Sequence, residues 1–149
     1  MAMIENTAQG IRAALASKRE GIDRQQPLQR MAALLDEWAK WAKTGGGLGL
    51  GYGKTAVHAE SVMYCISDDE AVCIERCIAT LTGEGLSQGV KAKERAEQAR
   101  AVICHHRDNI SLNMLDVWLR CSRTTVQRRY WGGVQFIEET FSRAMKKKY

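Results

Sequence analysis

Proline is all but missing from this sequence, with Pro27 the only one in 149 residues. Val, Ile and Thr rarely alternate with polar residues, whereas Ala, Leu, Lys, Arg, Glu and Gln recur at helical spacing. The first lack removes most helix breakers, and the second removes the period-two pattern of half-buried strands, so the expected fold class is α. Apolar residues never run unbroken for the ~18 positions that a membrane span requires. The N-terminal stretch, with Glu5 and Asn6, also lacks the basic start and apolar run of a signal peptide, so a cytoplasmic protein is expected. Cys65, Cys73, Cys77, Cys104 and Cys121 form an odd set, which favours reduced thiols over a disulfide framework.

What is present suits one helical domain with its own core: 45% of the residues are hydrophobic and 26% are charged. The net charge of +5 is unevenly placed. Residues 1–87 hold 9 Lys/Arg against 11 Asp/Glu, whereas residues 88–149 hold 13 against 6, which makes the C-terminal part the candidate anion-binding surface.

Residues 4–20 place Ile4, Ala8, Ile11 and Leu15 on one helical face, and the polar stretch from Gly21 to Gln26 leads to Pro27. Residues 1–27 therefore read as an N-terminal helical arm and linker, and residues 28–149 as the main domain. A second helix over 28–43 carries Met31, Leu34, Leu35, Trp38 and Trp41 in a core stripe. Gly45, Gly46, Gly47, Gly49, Gly51 and Gly53 then impose a loop. Its ending, Gly53-Lys54-Thr55, resembles a phosphate-binding loop but has Leu48 where that motif needs glycine. Ser67-Asp68-Asp69-Glu70 is a capping box that opens a helix with Val72, Cys73, Ile74, Cys77, Ile78 and Leu81 facing inward and an end near Gly83 and Gly85. A fourth helix spans 88–106, its charged first half solvated and its second half apolar.

From Ser111 the pattern becomes two short helices with Arg120-Cys121-Ser122 between them. Leu112, Leu115, Val117, Trp118 and Leu119 belong to the first, and Ser122 caps the second. This is the layout of a DNA-binding helix-turn-helix over residues 111–131. Val126 and Tyr130 would be buried, and Arg123, Thr124, Gln127 and Arg128 would point outward, where Arg suits guanine, Gln suits adenine, and Thr suits a thymine methyl or a phosphate. Arg129, Arg143 and Lys146-Lys147-Lys148 suit phosphate. Asp116 stands where a small alanine usually lets the helices approach, and Arg120 where the turn usually has glycine. Gly132-Gly133 either ends the second helix or permits close packing, and a last amphipathic helix carries Val134, Phe136, Ile137, Phe141 and Met145.

Cys73, Cys77, Cys104 and His105 or His106 hold the parts of a zinc site, but on apolar helical faces rather than in loop-borne pairs, so buried thiols are the favoured reading. No complete catalytic or cofactor-binding constellation is found, and neither an enzyme nor a cofactor is expected.

Three stretches together resemble the phage antitermination protein Q family, in its small lambdoid-phage form. They are Leu35-Asp36-Glu37-Trp38-Ala39-Lys40-Trp41-Ala42 with the following Gly51-Tyr52 loop, the acidic-start helix from Asp68 through Leu81, and residues 105–129. The likeness covers about residues 30–145 in matching order, with Ala39 where the family favours glycine. It implies a late-gene antitermination factor that binds a DNA element at a phage late promoter, loads onto sigma-containing paused RNA polymerase and makes it read through terminators. The implied partners are double-stranded DNA and bacterial RNA polymerase with its sigma factor. Nascent RNA near the exit channel and a second copy on DNA are further partners to test. The rival expectation is a helix-turn-helix repressor or activator acting at initiation.

Overall fold

The computed structural model describes residues 2–44 and 63–148, with side chains described for 9–44 and 63–147. The expected glycine loop, with Tyr52, Lys54 and Thr55, lies outside the described residues, as do the side chains of Ile4, Ala8 and Lys148. Among the described residues every regular element is a helix: α1 (Ala2–Asp23), α2 (Pro27–Lys43), α3 (Asp68–Gly85), α4 (Ala92–His106), α5 (Leu112–Leu119) and α6 (Arg123–Lys148). None of them is long and apolar enough to cross a membrane. The chain forms two compact units, Met1–Ala71 and Val72–Tyr149.

In the first unit, Pro27 occupies the first turn of α2, where its missing N–H costs nothing, and Gln26 before it is extended (φ −63°, ψ 153°). The expected arm is packed within this unit. Lys18 of α1 donates to Glu37 Oε2 of α2 at 2.9 Å, and Met31, Leu34, Leu35, Trp38 and Trp41 of α2 are buried. Glu37 is itself buried, with only 1% of its side chain exposed. Its Oε2 also accepts from Lys40 at 3.0 Å, and its Oε1 accepts from the Cys65 backbone N–H at 2.8 Å and the Cys65 thiol at 3.2 Å. Burial alone would raise the carboxyl, but the bonds from Lys18, the Cys65 backbone and Lys40 outweigh it and hold the group at about 2. Burial and the neighbouring carboxylate push the Cys65 thiol up to about 11. Arg19 grips the same segment from α1, donating to the Cys65 carbonyl at 3.0 Å and, through two nitrogens, to Glu70 at 2.9 and 2.5 Å. The capping box closes as the spacing predicts: Glu70 N–H donates to Ser67 Oγ and Ser67 N–H to Glu70 Oε1, both at 3.1 Å. Trp41 Nε1 donates to Asp68 Oδ1 at 2.9 Å.

The second unit buries Ile74, Cys77 and Leu81 of α3, Ala99, Ala101 and Val102 of α4, Leu115 of α5, and Val126, Tyr130, Val134 and Ile137 of α6. α4 begins at Ala92 rather than at residue 88, after turns through Leu86–Lys91. The two helices expected after Ser122 are one. α6 runs 26 residues straight through Gly132-Gly133, and it is Gly133 that faces α4 and lets the backbones close. A Cβ added at Gly133 would stand 2.7 Å from Val102 Cγ2 and 3.0 Å from the Gln98 carbonyl oxygen. One added at Gly132 would meet only the movable end of Gln98, at 2.6 Å from Nε2.

Two outcomes follow for stability. Gly133→Ala loses about 1–3 kcal/mol in denaturant unfolding, since overpacking against backbone outweighs the helix propensity of alanine, whereas Gly132→Ala stays within about 1 kcal/mol of the parent. Glu37→Gln lowers neutral-pH stability by about 2 kcal/mol by removing a charge-assisted set of bonds. Because Glu37 is held below its ordinary 4.5, its contribution is complete above that pH and fades as the pH falls toward 2. The gap in melting temperature between parent and variant therefore narrows over that acid range.

Candidate nucleic-acid interface

α5, the turn and the start of α6 form a helix, a three-residue connection and a second helix. Ser111 caps α5 with its backbone alone: its carbonyl accepts from Met114 N–H at 2.9 Å, and its side chain makes no capping bond. Arg120 then takes the left-handed conformation (φ 53°, ψ 51°) that ends α5, and the Cys121 N–H reaches back to the Asp116 carbonyl at 3.1 Å. The position where the motif usually has glycine thus keeps the glycine-like backbone with an arginine on it. Ser122 caps α6 as the sequence suggests, its Oγ accepting from Thr125 N–H at 3.2 Å.

Along α6, Val126, Tyr130, Val134 and Ile137 turn inward at spacings of four, four and three. The opposite stripe carries Arg123, Thr124, Gln127 and Arg128, all exposed, the two arginines at 73% and 65% of their side chains. This row offers two guanidinium forks, a hydroxyl and an amide, donors and acceptors suited to base edges. Arg123 lies 3.6 Å from Asp116 and Arg128 3.7 Å from Glu94. Gln127 Oε1 accepts from Trp131 Nε1 at 3.2 Å, which fixes the amide on the surface.

Arg129 is placed differently. Its side chain is only 17% exposed and is turned to α4, with Nη1 3.5 Å from Glu97 and Nε 3.7 Å from Glu94. Four of the five expected contact residues therefore share one exposed row, and the fifth ties that row to its support. Arg143, Lys146 and Lys147 are exposed farther along α6. Beneath the row, the Tyr130 hydroxyl and His106 Nε2 share a buried 2.7 Å hydrogen bond, and His105 Nδ1 donates to the Ile110 carbonyl at 2.8 Å.

Sequence reasoning missed the roles of Glu94 and Glu97, which it placed on a solvated face. The signal was their i,i+3 spacing on α4, which points both at one partner helix. Of the apolar residues that the sequence assigns to α5, Val117 and Trp118 are exposed, as is the neighbouring Met114. Eight residues can turn only one stripe inward, and that stripe is led by the fully buried Leu115. The candidate zinc ligands do not converge: among the described residues no group of three or more His, Cys, Asp or Glu side chains is arranged to hold a metal. Burial, then the neighbouring Cys73, pushes the Cys77 thiol up to about 12, so it stands as a neutral thiol in the core of the helix face. No family model, curated protein or solved structure matches the chain.

The left-handed turn gives a direct test of this local geometry. Arg120→Gly removes the Cβ penalty and raises unfolding stability by about 1 kcal/mol, while Arg120→Ala, which keeps a Cβ, brings no such gain. Equal effects of the two variants in denaturant unfolding would contradict a left-handed residue 120.

Proposed function

We propose that this protein binds double-stranded DNA through the exposed row of α6 and acts as a phage late-gene transcription antitermination factor in the bacterial cytoplasm. The observation that carries DNA binding is the row itself: Arg123, Thr124, Gln127 and Arg128 stand outside a helix whose other face is locked into the core and whose start is set by a short capped turn. The charge distribution supports it, since the excess of Lys and Arg lies entirely in residues 88–149.

The antitermination role rests on the resemblance of residues 30–145 to the phage antitermination protein Q family. On that reading the protein engages DNA at a late promoter, joins sigma-containing RNA polymerase during a promoter-proximal pause and travels with it past terminators. Exposed Met114, Val117 and Trp118 on α5 suit such a factor, because a monomer has no use for three large apolar side chains on one short helix while a protein partner does. Self-association on DNA and contact with nascent RNA at the exit channel belong to the same reading.

The test is transcription with purified polymerase and sigma factor on a template carrying the DNA just downstream of the gene followed by a terminator. Added protein produces transcripts that extend beyond the terminator. Transcripts that change in number but still stop there would instead identify a repressor or activator of initiation.

A further inference from the structure

The two arginines that bracket the exposed row are each faced by a carboxylate from a different helix. Asp116 Oδ2 of α5 lies 3.6 Å from Arg123 Nε, and Glu94 Oε1 of α4 lies 3.7 Å from Arg128 Nε. Contacts of that length at an exposed surface add little to folding stability, so the fold does not explain them. Their electrostatic effect is larger, because each places a negative charge beside a side chain that would otherwise attract phosphate.

Both carboxylates have a second hold that does not depend on the exposed arginine. Asp116 Oδ1 accepts from the Val117 backbone N–H at 2.8 Å. Glu94 Oε2 lies 3.7 Å from Arg129, which Glu97 also anchors at 3.5 Å. When Arg123 or Arg128 swings toward a ligand, the negative charge stays behind. A surface that needed only to grip a polyanion would bind better without either acid, since that affinity grows with the number of free cations. A surface that reads bases gains from them: the acid repels the nearby phosphate backbone, and only a guanidinium that reaches two acceptors on a base edge offsets the repulsion.

We propose that Asp116 and Glu94 are specificity-determining residues that suppress binding to DNA of arbitrary sequence and leave affinity dependent on base contacts by Arg123 and Arg128. This rests on the DNA-binding reading above.

The experiment titrates the parent protein, Asp116→Asn and Glu94→Gln with two labelled duplexes over a series of salt concentrations. One duplex has random sequence, and the other is selected from a random pool by the parent. Each variant binds the random duplex about three- to tenfold more tightly, with a salt slope steeper by about one, while affinity for the selected duplex changes less. Asp116→Glu and Glu94→Asp, which keep the charge, remain selective, and melting temperatures close to the parent's exclude unfolding as the cause. Unchanged affinity for the random duplex, or an equal change for both duplexes, overturns the inference. A parent protein with no salt-dependent affinity for any duplex refutes the DNA-binding reading itself, whereas a selective parent with unaltered variants refutes only the role of the two acids.

Discussion

The close crossing of α6 on α4 is the constraint on which the rest of the second unit depends. At Gly133 no side chain separates the helices, and the Gln98 carbonyl and the Val102 methyl come to within van der Waals reach of the α6 backbone. Such an approach fixes the rotation of α6 about its own axis, because only a glycine can face α4 at that point. With 3.6 residues per turn, that rotation puts Val126, Tyr130, Val134 and Ile137 inside and leaves Arg123, Thr124, Gln127 and Arg128 outside. The buried bond between Tyr130 and His106 and the pairing of Arg129 with Glu94 and Glu97 hold the same rotation with polar contacts. A glycine in the middle of a helix costs propensity, and the contribution of Gly133 here is the precision with which a surface two turns away is aimed.

The first unit is organised by a different device. A buried carboxylate, Glu37, gathers donors from α1, from α2 and from the backbone of residue 65, so a segment without regular structure is secured to two helices by one side chain. Arg19 repeats the arrangement with opposite sign, joining α1 to Glu70 and the Cys65 carbonyl. Its pairing with Glu70 draws that carboxyl below its usual range against the effect of burial. Charge is used inside this unit to hold chain segments, while on α6 Arg129 does the same and Arg123 and Arg128 are left at the surface, where they are open to a ligand.

Much of this was legible in the sequence, for reasons that differ from element to element. The α class, the Trp38–Trp41 core stripe and the Ser67–Glu70 capping box depend on local periodicity or on short-range hydrogen bonds, and these are written into neighbouring residues. The turn at Arg120 was legible as a turn, but its left-handed backbone was not, since nothing in an arginine announces it. The continuity of α6 was hidden because a glycine pair reads alike whether it ends a helix or lets another helix approach, and only the position of Gln98 and Val102 decides between the two. The exposed row followed from the helical period. The inward turn of Arg129 did not, because it depends on Glu94 and Glu97, more than thirty residues away.

The proposed role of α6 is that its exposed row reads DNA base by base. It is tested most directly by selecting binding sites from a random duplex pool with the parent protein and with Gln127→Ala, then comparing the preferred sequences. The parent is expected to enrich a defined site, and the variant to lose preference at one base pair of it while keeping the others. A parent that enriches nothing, or a variant that selects the full parental site unchanged, would contradict it.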